Sequence, residues 1–347
     1  MKAFDINTII RNNVLKMKAY SSARDEFKGF DRKMVFLDAN ESPFENGVNR
    51  YPDPQQKAVK VFLAEQKMVN PNQILLGNGS DEVLDLLFRA FCEPNRDNVI
   101  TLPPTYGMYG VLANLNAVEN REILLTADFQ PKTELILESA DANTRILFLC
   151  SPNNPTGNSF SKESVVTLIQ NFNGLVVLDE AYIDFSENVS WLSELNVYPN
   201  LVITQTLSKA YGLAGIRMGI LYASPEIISV LNKIKPPYNL NNLSQQKALE
   251  VLTDKEISGS KITLIKEEKR CLLKQLLQIS FINKIYPSDA NFILIKVDNA
   301  EIRYNQLLEK DIVIRNRSNQ PLCENCLRIS IGTPEENKLL INTLKTL

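Results

Sequence analysis

The chain of 347 residues contains no histidine. That absence removes whole classes of chemistry. A Ser-His-Asp triad, a Cys-His dyad and histidine-ligated zinc all need an imidazole. Proton transfer must therefore use lysine, tyrosine, a carboxylate or a cofactor. The cysteines are five and scattered, at positions 92, 150, 271, 323 and 326, so no disulfide framework is expected. Cys323 and Cys326 form a CxxC, but without a second CxxC or a histidine it makes no zinc site, and no metal is expected. No apolar run approaches the roughly 20 residues of a membrane helix. Lysine and arginine total 38 against 40 acidic residues, a net charge of −2 with no long basic block. Neither nucleic acid nor an anionic membrane is an expected partner. The opening MKAFDI lacks the apolar core of a secretory signal, so a cytoplasmic location is expected.

What is present is ordinary for a globular protein: 44% apolar and 22% charged residues. The length suggests about two domains. Residues 1–33 are polar and basic and read as an arm or peripheral helix rather than core. Residues 34–37 (MVFL) read as a short strand. Apolar runs at 74–76, 99–101, 145–150, 174–179, 201–205 and 219–222 read as further strands, and helical periodicity separates several of them, as after residue 80 and at 162–171. This alternation predicts a mostly parallel α/β sheet between helical layers. The pattern changes at 236–242 (PPYNLNN), a hinge. A long helical stretch then runs to about residue 277, followed by strands at 291–297, 312–315 and 327–331 and helices at 301–309 and 334–344. The expected division is an arm at 1–33, a large domain at 34–238 and a smaller α+β domain at 239–347.

Residues 206–217 (TLSKAYGLAGIR) follow a strand and carry the chemistry. Lys209 is flanked by the hydroxyls of Thr206 and Ser208, and Arg217 arrives after two turn glycines. Lysine forms Schiff bases with aldehydes, and hydroxyls with an arginine suit a phosphate. Pyridoxal phosphate is an aldehyde that carries a phosphate. A solvated loop lysine beside a turn is the bland alternative. Residues 77–82 (GNGSDE) form a second candidate phosphate site, a glycine turn opening a helix whose free N–H groups favour an anion; a merely capped helix reads equally well. Ser80, Tyr106, Asn154, Asp179 and Lys209 all fall at the C-terminal ends of predicted strands, where open α/β sheets bind ligands.

The motifs LDANE (37–41), RYPDP (50–54), GNGSD (77–81), SPNNPTG (151–157), DEAYID (179–184), TLSKAYGLAGIR (206–217) and CLRISIG (326–332) span nearly the whole chain. In content and order they resemble the fold-type I pyridoxal phosphate aminotransferases, and within them the histidinol-phosphate aminotransferase family. The resemblance implies a three-layer α/β/α large domain, a small α+β domain and a homodimer. It implies that Lys209 holds the cofactor and shuttles protons, which is how a chain without histidine does acid–base work. Asp179 would pair with the pyridine nitrogen; an acid ending a buried-type strand otherwise lacks a reason. Asn154 and Tyr182 would bond the cofactor's phenolic oxygen, and Tyr106 would stack on its ring. Gly79, Ser80, Asp81, Thr206, Ser208 and Arg217 would hold its phosphate, with Tyr51 reaching in from the other subunit. Arg328, Arg315, Tyr20 and Asn40 would bind substrate, and Tyr238 would line the pocket. The implied reaction is transamination of L-histidinol phosphate with 2-oxoglutarate, giving imidazole-acetol phosphate and L-glutamate. A threonine-phosphate decarboxylase-like lyase, a broader aromatic aminotransferase and a non-catalytic cofactor-binding protein are the rivals.

Overall fold

The computed structural model describes residues 4–20 and 35–347. Residues 74–222 build a seven-stranded sheet from β1 (Ile74–Asn78), β2 (Asn98–Thr101), β3 (Glu119–Glu122), β4 (Thr144–Cys150), β5 (Leu175–Asp179), β6 (Leu201–Thr206) and β7 (Met218–Tyr222). Their order across the sheet is β1-β7-β6-β5-β4-β2-β3. All adjacent pairs are parallel except those of β7, which runs antiparallel to both β1 and β6.

The central strands are continuous apolar runs because both faces are covered. Ile146 and Phe148 of β4, with Leu175 and Val177 of β5, turn to one layer. Leu147, Leu149, Val176 and Leu178 turn to the other. One layer is made by the helices Ser80–Phe91, Met108–Leu115 and Pro225–Ile234. The opposite layer includes the helices Lys57–Lys67 and Lys162–Asn171. This is the expected three-layer α/β/α arrangement.

A second sheet is antiparallel, in the order β10-β11-β9-β8, from β8 (Ile282–Ile285), β9 (Phe292–Val297), β10 (Arg315–Asn316) and β11 (Cys326–Ser330). Leu272 and Leu276 of the helix Lys255–Leu276, Leu307 of Ala300–Leu308 and Leu340 of Pro334–Leu344 pack on it. Between the sheets, the helix Asn242–Thr253 sends Ala248 and Leu252 into the large sheet's core beside Val59 and Leu63.

Three expectations need correction. Residues 35–37 form no strand; Val35 and Leu37 are 83% and 88% exposed with no sheet to join, and residue 34 lies outside the described residues. The described part of the arm is not peripheral. Ile9, Ile10 and Val14 are buried against the layer that holds the helix Ser80–Phe91. The strand expected over 312–315 is reduced to Arg315–Asn316. Among the described residues no helix is long and apolar enough to cross a membrane, and no cluster of His, Cys, Asp or Glu is placed to hold a metal. All five cysteines are free.

Candidate active site

Five strands end at one edge of the large sheet, and each delivers a polar side chain there. Ser80 follows β1, Tyr106 follows β2, Asn154 follows β4, Asp179 ends β5 and Lys209 follows β6. Arg217 reaches the same edge from the other direction, because it precedes the antiparallel β7. The small sheet supplies Arg315 and Arg328 from β10 and β11. Together with Asp81, Tyr182, Thr206 and Ser208, these residues line one cavity of about 320 Å³.

Asp179 lies at the floor, 4% exposed. Tyr109 donates a hydrogen bond to its Oδ2 at 2.7 Å, and the Ala181 backbone N–H donates to Oδ1 at 3.2 Å. Burial pushes its pKa above the usual carboxylate range, and these two donors work in the opposite direction. A buried carboxylate with neutral partners and no ion pair among the described residues is costly unless a cation arrives.

Lys209 faces Asp179 across the cavity. Burial lowers its pKa, and the guanidinium of Arg328 lowers it further. Its Nζ lies 5.8 Å from the centre of the Tyr182 ring. Such a lysine is more readily neutral, and therefore nucleophilic, than a solvated one.

An anion cradle forms where the helix Ser80–Phe91 begins. Its N-cap is Gly79, at φ +81°, where an added Cβ would sit 2.5 Å from Arg217 Nη2. A Cβ on Gly219 would lie 2.3 Å from the Ser80 backbone nitrogen. Both glycines thus allow close approach to the helix N-terminus. Gly79 N–H donates to the Arg217 carbonyl at 2.9 Å, which fixes the arginine's loop. Arg217 Nη2 is 3.9 Å from Asp81 Oδ2, and Tyr106 Oη donates to Asp81 Oδ1 at 3.0 Å. Thr206 Oγ1 accepts from Ser208 N–H at 3.1 Å.

On the opposite wall, Arg328 Nη1 donates to Asn154 Oδ1 at 2.5 Å, and Asn154 Nδ2 donates to Tyr182 Oη at 3.3 Å. Burial, then Arg317 and Arg315, bring the Arg328 pKa down to about 10.

Five expected residues, Tyr20, Asn40, Tyr51, Gly79 and Tyr238, lie outside this cavity's lining in the single chain. Tyr51, 52% exposed, stacks on Tyr238 at 4.5 Å and lines a separate concavity with Asn40. Tyr20, 73% exposed, borders a third concavity. Gly79 stands behind the cradle rather than in the cavity lining. Conversely, Cys150 and Arg317 line the cavity and Tyr109 braces its floor, and none of these roles was assigned from sequence. Arg317 had a readable signal, since it stands two residues beyond Arg315 and strands alternate faces with period two. Tyr109 had a weaker one, three residues after Tyr106 where the chain turns into the helix Met108–Leu115.

The fold and this cavity define a pyridoxal phosphate-type transferase. Residues 34–344 match the family model described as aminotransferase class I and II, and the chain belongs to that family. A histidinol-phosphate aminotransferase of Flavobacterium johnsoniae is 70% identical over 348 residues, covering 100% of both chains, which puts the chain in the histidinol-phosphate aminotransferase branch. The crystal structure of the histidinol-phosphate aminotransferase from Clostridium acetobutylicum superposes with a TM-score of 0.80 at 25% identity, covering 86% of this chain and 90% of that one. The Sinorhizobium meliloti histidinol-phosphate aminotransferase, solved in complex with pyridoxal-5′-phosphate, shares the fold at a TM-score of 0.78 and 24% identity, covering 86% of this chain and 82% of that one.

Proposed function

We propose that the cavity binds pyridoxal phosphate and moves the amino group of L-histidinol phosphate to 2-oxoglutarate, giving imidazole-acetol phosphate and L-glutamate in histidine synthesis. The observation that carries this is the meeting in one cavity of a desolvated lysine, Lys209, and a buried carboxylate, Asp179, that has no ion pair among the described residues. Family membership and full-length relatives at 62–70% identity support it over the lyase and the broader aminotransferase.

The residues present suit the cofactor. The close approach allowed by Gly79 and Gly219 opens room for a phosphate at the helix N-terminus. Ser80 and Asp81 would offer backbone amides there, Gly79 would shape the turn behind them with its own N–H held by the Arg217 carbonyl, and Thr206, Ser208 and Arg217 would complete the shell. Asp179 is the missing partner of a protonated ring nitrogen. Tyr106 offers a flat face for a ring. Bound pyridoxal phosphate supplies an aldehyde for an amine and a ring that accepts the electron pair of a broken C–H bond.

The chain's own work is then positioning and proton transfer. Lys209 would hold the cofactor at rest, and its free amine would take the proton from the substrate α-carbon and return it on the cofactor side, so that no net proton is consumed. Its lowered pKa leaves more of it unprotonated for that task. Asp179 holds a proton on the ring nitrogen. Tyr182 and Asn154 bond the cofactor's phenolic oxygen. Arg328 and Arg315 hold the substrate's phosphate, or the carboxylate of glutamate in its turn. Tyr20 and Asn40 are assigned to substrate and Tyr51 to the cofactor phosphate of a neighbouring subunit in a homodimer. The position of Tyr51 outside the single-chain cavity suits a contribution in trans. The division into 1–33, 34–238 and 239–347 is proposed alongside, with the helix Asn242–Thr253 packing back on the large sheet.

The test is product analysis. Purified protein with pyridoxal phosphate, histidinol phosphate and 2-oxoglutarate should form glutamate without releasing CO₂. Release of CO₂ without need of a keto acid would establish the lyase instead.

A further inference from the structure

The small sheet carries one more cation into the cavity than the sequence suggests. Arg315 of β10 stands directly opposite Arg328 of β11. Arg317 N–H donates to the Cys326 carbonyl at 2.8 Å, so the pairing continues past the strand end. By the period-two alternation of such a ladder, Arg317 shares a face with Arg315 and Arg328. All three arginines line the cavity.

Like charges placed opposite one another across a sheet are destabilising. Among the described residues no carboxylate pairs with Arg317 or Arg328 to offset it; the favourable neighbours of Arg317 are Tyr182 and Cys323, and that of Arg328 is Tyr182. The Nε of Arg317 and the Nε of Arg328 are buried with no hydrogen-bond partner. Burial, and then Arg315, lower the pKa of Arg317. Two buried, unsatisfied donors on adjacent cations mark a place shaped for an anion. A single carboxylate is matched by one planar fork. Three forks exceed what a carboxylate needs and suit a phosphate monoester dianion, with three oxygens and about two charges.

We propose that Arg317 is a specificity-determining residue that selects a phosphate monoester over a carboxylate at the amine-side substrate's anionic end. This rests on the function proposed above and adds the residue that separates phosphorylated from aromatic amino donors. Arg328 and Arg315 suffice for a monocarboxylate. Arg317 acts when the anion carries the second charge.

The test compares wild type, Arg317→Gln and Arg317→Lys as holoenzymes, with histidinol phosphate and phenylalanine as alternative donors. Arg317→Gln should raise KM for histidinol phosphate at least tenfold with kcat changed less than threefold, the pattern of lost uniform binding. kcat/KM for phenylalanine should fall several-fold less. Arg317→Lys should restore part of the phosphate preference. An unchanged KM for histidinol phosphate, or a parallel fall for both donors, overturns the proposal. Binding of inorganic phosphate to the holoenzyme, whose cofactor phosphate already fills the cradle, is measured by calorimetry alongside. It should weaken at least tenfold in Arg317→Gln; equal binding by both proteins counts against the assignment. If wild type binds phosphate through Arg317 yet turns over no histidinol phosphate, the proposed reaction fails and the anion site stands.

Discussion

The phenol of Tyr109 donates a 2.7 Å hydrogen bond to the carboxylate of Asp179, and both side chains are buried. The bond is neutral-to-charged, so it steadies the ionised acid without cancelling its charge. Tyr109 is fixed in turn by stacking on Phe148 at 4.8 Å and by an edge contact with Tyr106 at 5.5 Å. Hydrogen bonds to charged groups contribute about 1.5–3 kcal/mol. Tyr109→Phe should therefore destabilise the cofactor-free protein by roughly that amount above the titration range of Asp179. Urea unfolding at neutral to mildly alkaline pH reads this directly. An unchanged midpoint would mean that Asp179 is protonated there or held by something else.

Asp179→Asn separates charge from shape. On the role proposed for Asp179, the substitution would take the ionic partner from the ring nitrogen, and kcat should fall by about 10²–10³-fold, the scale of losing one preorganised electrostatic contact. Stability should respond in the other direction. The folded-state pKa of Asp179 is raised, so the folded protein holds this proton more tightly than the unfolded chain. Stability from this group is full below the ordinary aspartate range and is lost as pH rises through the raised folded value. Asp179→Asn should remove that part of the decline. Glu180, also buried and raised by burial, changes with the same sign in both proteins, so the difference between them isolates Asp179. Parallel pH profiles for the two proteins would contradict the assignment.

Gly219 sits opposite Gly77 on β1 and Thr206 on β6, beneath the start of the cradle helix. A methyl group there meets backbone rather than a movable side chain. Gly219→Ala should cost about 1–3 kcal/mol as an overpacked site, and the displaced helix N-terminus should weaken pyridoxal phosphate retention at least tenfold. Dialysis of the holoenzyme followed by absorbance measures retention, and circular dichroism should show the secondary structure intact. Retention equal to wild type would place the phosphate elsewhere.

The central strands were legible because sheet burial on both faces forces unbroken apolar runs, as in β4, β5 and β6. β3 was not, since its sequence ENRE at the sheet edge has no apolar signal. Ile9, Ile10 and Val14 were misjudged because a basic, polar context hid three spaced core contacts. Polar residues that the strand ends carry to the shared edge, such as Asn154 and Lys209, could be located from strand positions alone. For Arg317 the strand alternation gives the face, but its role depends on the second sheet closing over the first, and that of Tyr109 depends on which face of a helix turns inward. Tyr20, Asn40 and Tyr51 lie outside the cavity of one chain, so only a family pattern attaches them to it.

The most direct test is a half-reaction followed by absorbance. Wild-type holoenzyme is mixed with histidinol phosphate and no keto acid. The band of lysine-bound cofactor should convert to that of the amine form, about one equivalent per site, and 2-oxoglutarate should restore it with release of glutamate. Lys209→Ala should show neither the starting band nor repeated turnover. A holoenzyme whose spectrum ignores histidinol phosphate but responds to phenylalanine would contradict the substrate, and a Lys209→Ala variant that still cycles would contradict the chemistry.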